Sequence, residues 1–176
     1  LGMIRILSET PDNAEAGNIE LQIKKEQLVS MLNQELEFSM KAIFEELTLV
    51  LNKDDMEIAY YGLKDQSESV KINAIEFLDS FLHKGLKTDL MPLLEYHFIQ
   101  ENEPVDLSSL QQTINSEETC LNFLLKGGAH NTKTAALNLI MLIKDKRPYM
   151  DAINGLTTNN NNSISKLAIK VLQTKA

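Results

Sequence analysis

Ile72–Leu78 reads INAIEFL, Thr134–Ile140 reads TAALNLI, and Lys166–Leu172 reads KLAIKVL. The three strings align without a gap. Each sets an alanine (Ala74, Ala136, Ala168), then an apolar residue, a polar one and two more apolar ones. This spacing suits a helix that buries one face, and the small residue lets a second helix come close. The alanines lie 62 and 32 residues apart. That fits a unit of about 31 residues with one degenerate copy between the first two. Such a unit holds one helical hairpin, which cannot bury its apolar face alone and so stacks on its neighbour. The expected fold is all-α, an α-α superhelix of about four to five irregular hairpins. No stretch alternates with period two between hairpin turns, so no strand is expected.

Upstream, residues 14–51 read as one long helix or two collinear ones. Val29, Leu32, Leu36, Met40, Ile43, Leu47 and Val50 follow in steps of three or four, on one face. Thr10 before Pro11 is a plausible start. The stripe suits a coiled-coil seam or an intramolecular packing face; too few heptads and irregular flanking charge favour the second. Asp54, with Glu57 three positions on, resembles a capping box for the next helix. Ile58, Tyr61, Gly62 and Leu63 are its expected packing side. Ser67 is the next N-cap, and Val70, Ala74, Phe77, Leu78, Phe81 and Leu82 form a wide apolar stripe. Gly85 is the expected stop, and LKTDLMPLLEYHF completes a helical hairpin.

Glu101–Thr119 holds five carboxylates and no basic residue. It reads as an exposed connection with a short helix near Leu107–Ile114. Ser116 then caps a helix that Gly127 and Gly128 end. Ala135–Ile143 is apolar nearly all round, which marks a buried helix at the centre of the C-terminal half. Pro148 opens PYMDAINGL, Asn159–Asn162 is a polar loop, and SISKLAIKVLQTK closes the chain. The whole chain, 1–176, is read as a single HEAT-like helical repeat domain. It comprises the long helix or helix pair at 14–51, the best-matching repeat region at 54–97, an acidic linker and irregular unit at 98–119, and C-terminal repeats over 116–176.

Composition narrows the function classes. The chain of 176 residues has 17 Lys and Arg against 25 Asp and Glu, a net charge of −8. An acidic surface repels phosphate backbones, so nucleic acid is not an expected partner. The charge is uneven: from Cys120 onward there are eight basic residues and two acidic ones. That asymmetry marks either a basic interaction surface or two halves that complement each other. Lys166 and Lys170, one helical turn apart on a solvated face, are the candidate interaction residues. No run of about 18 apolar residues occurs and no secretory signal pattern is present. Leu1 in place of an initiating Met suggests a piece of a longer protein.

Catalytic patterns are missing. His83, His97 and His130 lack partners at metal-ligand spacing and are expected at helix ends or in loops. Cys120 stands in the first turn of its helix, where a thiol pKa can fall, yet it reads as a core residue. Gly127–Gly128 lacks the context of a phosphate loop, and no GxSxG elbow exists. The pairs Glu45–Glu46, Asp54–Asp55 and Glu117–Glu118 read as capping and solubility groups. No catalytic residue, cofactor or metal ligand is therefore assigned, and a non-catalytic role is expected.

Met56–Glu95 carries Tyr61-Gly62-Leu63, then Ser67, then Asn73-Ala74-Ile75-Glu76-Phe77-Leu78-Asp79, then Met91-Pro92-Leu93-Leu94. This order resembles the HEAT-like domains attached to bacterial membrane proteins similar to ADP/ATP carriers of the nucleotide-transporter type. Met91 stands where the family pattern has leucine. The upstream helix is similar too; the C-terminal third matches only as general HEAT-like sequence. The resemblance implies an interaction scaffold at the cytoplasmic face of the inner membrane, following a transporter-like region whose parent protein exchanges ATP for ADP. Its partner is then the protein's own membrane domain or another protein, and its membrane contact runs only through the upstream region. It brings no nucleotide-binding residue here, because the substrate path of such carriers lies in membrane helices. A freestanding HEAT-like adaptor for a protein or peptide is the alternative. A DNA-acting solenoid has only fold analogy behind it, against the acidic balance and the lack of Trp.

Overall fold

Apolar residues at every turn of Ala135–Ile143 leave that helix no side to give to water. In the computed structural model no residue from Thr132 to Ile143 is exposed. The structure describes residues 2–9, 19–99, 114 and 116–174. Among them the chain forms nine α-helices and no strand. They are α1 (Gly2–Glu9), α2 (Ile19–Leu47), α3 (Lys53–Leu63), α4 (Glu68–Phe81), α5 (Lys84–Phe98), α6 (Glu117–Gly127), α7 (His130–Leu142), α8 (Met150–Thr157) and α9 (Asn162–Gln173). A 3-10 turn, Arg147–Tyr149, leads into α8. The start expected at Thr10–Pro11 and most of the helix expected over Leu107–Ile114 lie outside the described residues. Among the described residues no helix is long and apolar enough to cross a membrane.

The chain divides into two units. Unit 1 takes residues 1–36 and 114–176, and unit 2 takes 37–113. The division falls inside α2. Unit 1 packs around α6 and α7, with α6 also touching α1 and α8. Leu121, Leu125, Leu137, Leu139, Ile140 and Ile153 are wholly buried, together with Leu7 of α1 and Leu28 of α2. Each such side chain contributes roughly 1.5–3 kcal/mol by leaving water. α6 packs on α7, α7 on α9, and α8 on α9. Ala136 and Ala168, the aligned alanines of α7 and α9, are both fully buried. Lys25 of α2 donates to Glu117 Oε2 at 3.1 Å, and the Thr132 hydroxyl donates to Glu35 Oε1. Every fully buried side-chain nitrogen or oxygen among the described residues has a partner, as burial of polar groups requires.

In unit 2, α3 packs on α4 and α4 on α5. Gly62 sets the first contact: a Cβ built there would lie 3.1 Å from Ala74 Cβ. That closeness turns Met56, Ala59 and Leu63 inward. Ile58 and Tyr61, expected on the packing side, are 70% exposed. α3 carries two apolar stripes, and the Gly62–Ala74 contact selects one. Its cap is Asn52 rather than Asp54: Asn52 Oδ1 accepts from Asp55 N at 3.1 Å. Glu57 pairs with Lys53 at 3.5 Å instead of reaching back to a cap.

Other helix ends also differ from expectation. α2 stops at Leu47, where the Thr48 hydroxyl donates to Glu45 O at 2.7 Å and a tight turn follows. Val50 therefore leaves the stripe and is 74% exposed. Phe44 joins Met40 and Leu47 inside. Ser67 is the α4 cap by position, without a side-chain bond to the helix. α4 ends at Phe81, and Gly85 stands in the first turn of α5. Phe81 and Val70 of the expected stripe are exposed, whereas Ile75 is buried. Pro92 lies inside α5. In unit 1, Ser116 Oγ accepts from Thr119 N at 3.1 Å and Gly128 closes α6, as its residue types predict.

Candidate interaction site

α9 begins at an asparagine. Asn161 Oδ1 accepts from Ser163 N at 3.0 Å and from Ile164 N at 3.4 Å, so the Asn159–Asn162 run supplies a cap as well as a loop. Asn161 Nδ2 lies 3.1 Å from His130 Nδ1, linking the starts of α9 and α7. From that anchor Ile164, Ala168 and Val171 point inward. Lys166 and Lys170 take the other side and are exposed. Ile169 beside them is 41% exposed.

A groove of about 550 Å³ runs along the end of α9. Met150 and Ile153 of α8 and Val171 and Leu172 of α9 give it an apolar floor, and Lys144, Lys146 and Arg147 give it a cationic rim. Lys146 Nζ donates to the Thr174 carbonyl at 2.8 Å. Arg147 grips Asp145 with two bonds, Nη2 to Oδ2 at 2.6 Å and Nε to Oδ1 at 2.9 Å. That guanidinium holds the Asp145 carboxyl down to about 2. One cation of the rim is thus neutralised in place. Lys166 and Lys170 do not line the groove, although Lys170 directly precedes Val171. The sequence reading missed the groove; the close spacing of Lys144, Lys146 and Arg147 was its only visible sign.

Unit 2 brings together titratable groups that lie far apart in sequence. Lys64 Nζ donates to Glu37 Oε2 at 2.6 Å, and His97 Nε2 lies 3.2 Å from Glu37 Oε1. The Lys64 ammonium also stands 5.3 Å from the Tyr60 ring centre. The Lys64 bond, aided by His97, holds the Glu37 carboxyl below its ordinary range, and Glu37 raises Lys64 in return. These partners lie 27 and 60 residues apart in sequence. The cluster ties α2, the end of α3 and α5 together.

The remaining candidates have structural places. His83 caps α5, His97 lies in its last turn and His130 opens α7. Among the described residues no three His, Cys, Asp or Glu converge as a metal site would need. Cys120 is buried in the unit 1 core, and burial pushes its thiol up to about 12. Glu45 pairs with Lys41, Glu117 with Lys25, and Asp54 and Asp55 sit in the first turn of α3. No family model, curated protein or solved structure matches this chain.

Proposed function

We propose that the chain is a non-catalytic HEAT-like scaffold that binds protein, with the α9 edge of unit 1 receiving an acidic partner segment. The observation that carries this reading is the packing of α7 on α9 with Ala136 and Ala168 both fully buried. Aligned helices that pack on each other and each bury the aligned small residue are what stacked hairpin units require. The cationic rim over an apolar floor, and the exposed Lys166 and Lys170 on the same helix, support an acidic partner.

A fluorescein-labelled, Glu-rich amphipathic peptide provides the test. Its anisotropy should rise on binding and fall with salt. The double reversal Lys166→Glu with Lys170→Glu should weaken binding about tenfold. Affinity unchanged by the reversal removes those lysines from the site.

The order of residues in Met56–Glu95 supports a narrower form of the reading, the scaffold part of an ADP/ATP-carrier-like membrane protein. The native reading frame upstream of Leu1 tests it. Several apolar segments of about 20 residues are expected there. Without them the chain is read as a freestanding HEAT-like adaptor.

A further inference from the structure

Unit 2 leaves five large apolar side chains strongly exposed on α2, α3 and the turn between them. Phe38 of α2 is 74% exposed, Leu49 and Val50 of the α2–α3 turn are 83% and 74% exposed, and Ile58 and Tyr61 of α3 are 70% exposed. Single exposed apolar side chains are ordinary, but five around one helix pair are not. Helical spacing sets Ile58 beside Tyr61 on α3 and Phe38 beside Lys41 and Glu45 on α2. Phe38, Lys41 and Glu45 follow at i, i+3 and i+7 on one face of α2. Lys41 and Glu45 border a depression of about 310 Å³ whose far side is Tyr60 and Tyr61 of α3, with Phe44 and Met56 between.

From this arrangement we infer that the α2–α3 face of unit 2 is a homodimer interface, whose occupant is the same face of a second copy of this chain. Shape, charge and area favour that occupant. The face holds a projecting ring, Phe38, one helical turn from a hollow that Tyr60 and Tyr61 wall and that Lys41, Glu45, Lys53 and Glu57 border with charge. Under a two-fold axis each copy offers its ring to the other's hollow, so one patch is complementary to itself. The charges are self-complementary too. Lys41–Glu45 at 3.6 Å and Lys53–Glu57 at 3.5 Å each set one cation and one anion a turn apart on exposed helix surface. Antiparallel packing of α2 on its copy puts each Lys41 opposite the other chain's Glu45. Phe38 and Tyr61 each leave on the order of 150 Å² outside, and the five side chains together roughly 600 Å². With the charged rim this approaches the roughly 800 Å² per partner of a stable interface. The inference is independent of the scaffold reading, which concerns unit 1.

Sedimentation equilibrium of the full chain at about 100 µM tests it. The expected mass is twice the 19.8 kDa of the chain. Phe38→Glu should halve that mass while the far-ultraviolet circular dichroism stays unchanged, since the side chain is already mostly outside. Lys41→Glu sets Glu against Glu across the axis and should weaken dimerisation about tenfold. Adding Glu45→Lys to it restores opposite charges across the axis and should recover the dimer. A monomer at this concentration, a dimer indifferent to Phe38→Glu, or no recovery in the charge exchange overturns the proposal. Peptide binding at α9 is read separately, so its failure leaves this result intact.

Discussion

Exchanging Gly62 and Ala74 tests the contact that orients α3. A methyl at 62 would sit 3.1 Å from Ala74 Cβ, inside the optimal carbon separation of about 3.5–4.0 Å. Gly62→Ala gains about 1 kcal/mol of helix propensity and loses about 1–3 kcal/mol to overpacking, a net loss of about 1 kcal/mol. Ala74→Gly forfeits about 1 kcal/mol of propensity and about 0.8 kcal/mol for a buried methyl, so about 2 kcal/mol in all. In the double variant the methyl passes from one helix to the other. The clash disappears and the propensity changes cancel, so its stability should fall within about 0.5 kcal/mol of the parent. The expected coupling is then about 2–3 kcal/mol in favour of the double variant. The two units need not unfold together, so a single melting curve would mix them. Native-state amide exchange of α3 and α4 in the full chain reads the contact directly. Additive losses would refute the reasoning, because Gly62 would then owe its place to something other than the approach of α4.

Gly128→Ala should cost about 1–3 kcal/mol, because its methyl would meet the Leu124 carbonyl oxygen at 2.5 Å. Gly127→Ala, with nothing within 4 Å, should be neutral or stabilising by up to about 1 kcal/mol; urea unfolding followed at α6 separates the two. The depressed Glu37 carboxyl contributes stability that is present above its ordinary value of 4.5 and lost as pH falls through its folded value. The raised Lys64 contributes stability that is present below 10.5 and lost as pH rises through its folded value. Glu37→Gln should flatten both flanks of the pH–stability curve of unit 2 and cost less than about 1 kcal/mol at neutral pH, as both side chains are partly solvated. The Cys120 thiol, buried and raised to about 12, should resist a disulfide reagent at pH 8 and react fully in urea; rapid native labelling would mean that α6 opens locally.

Local pattern carried most of the helices. Ser116, Gly128 and the all-round apolar run of α7 could be read directly because caps and burial depend on neighbours within a turn or two. The face of α3 could not, since Met56-Ala59-Leu63 and Ile58-Tyr61 offer competing stripes and only Ala74 of another helix decides between them. Asn52 and Asp54 are both good caps, and the choice follows from where α2 releases the chain. Lys166 and Lys170 stood out as exposed positions on an amphipathic helix. The groove at the end of that helix did not, because it exists only once residues 144–147 meet the end of α9. Glu37, Lys64 and His97 gave no local sign at all, for their meeting depends on three helices.

Unit 1 is sewn from both ends of the described chain, with unit 2 lying between them in sequence. That order imposes a timetable during synthesis. Leu7, Leu28 and Leu32 emerge early, yet their partners, from Cys120 to Val171, come last. At about 5–20 residues per second the wait after Thr113 is several seconds. Unit 2 is finished first and can fold in that interval, while the first helices keep their apolar sides open to water and to chaperones. A nascent chain arrested once Thr113 has cleared the ribosome should therefore protect α3–α5 from protease and leave α1 cleavable.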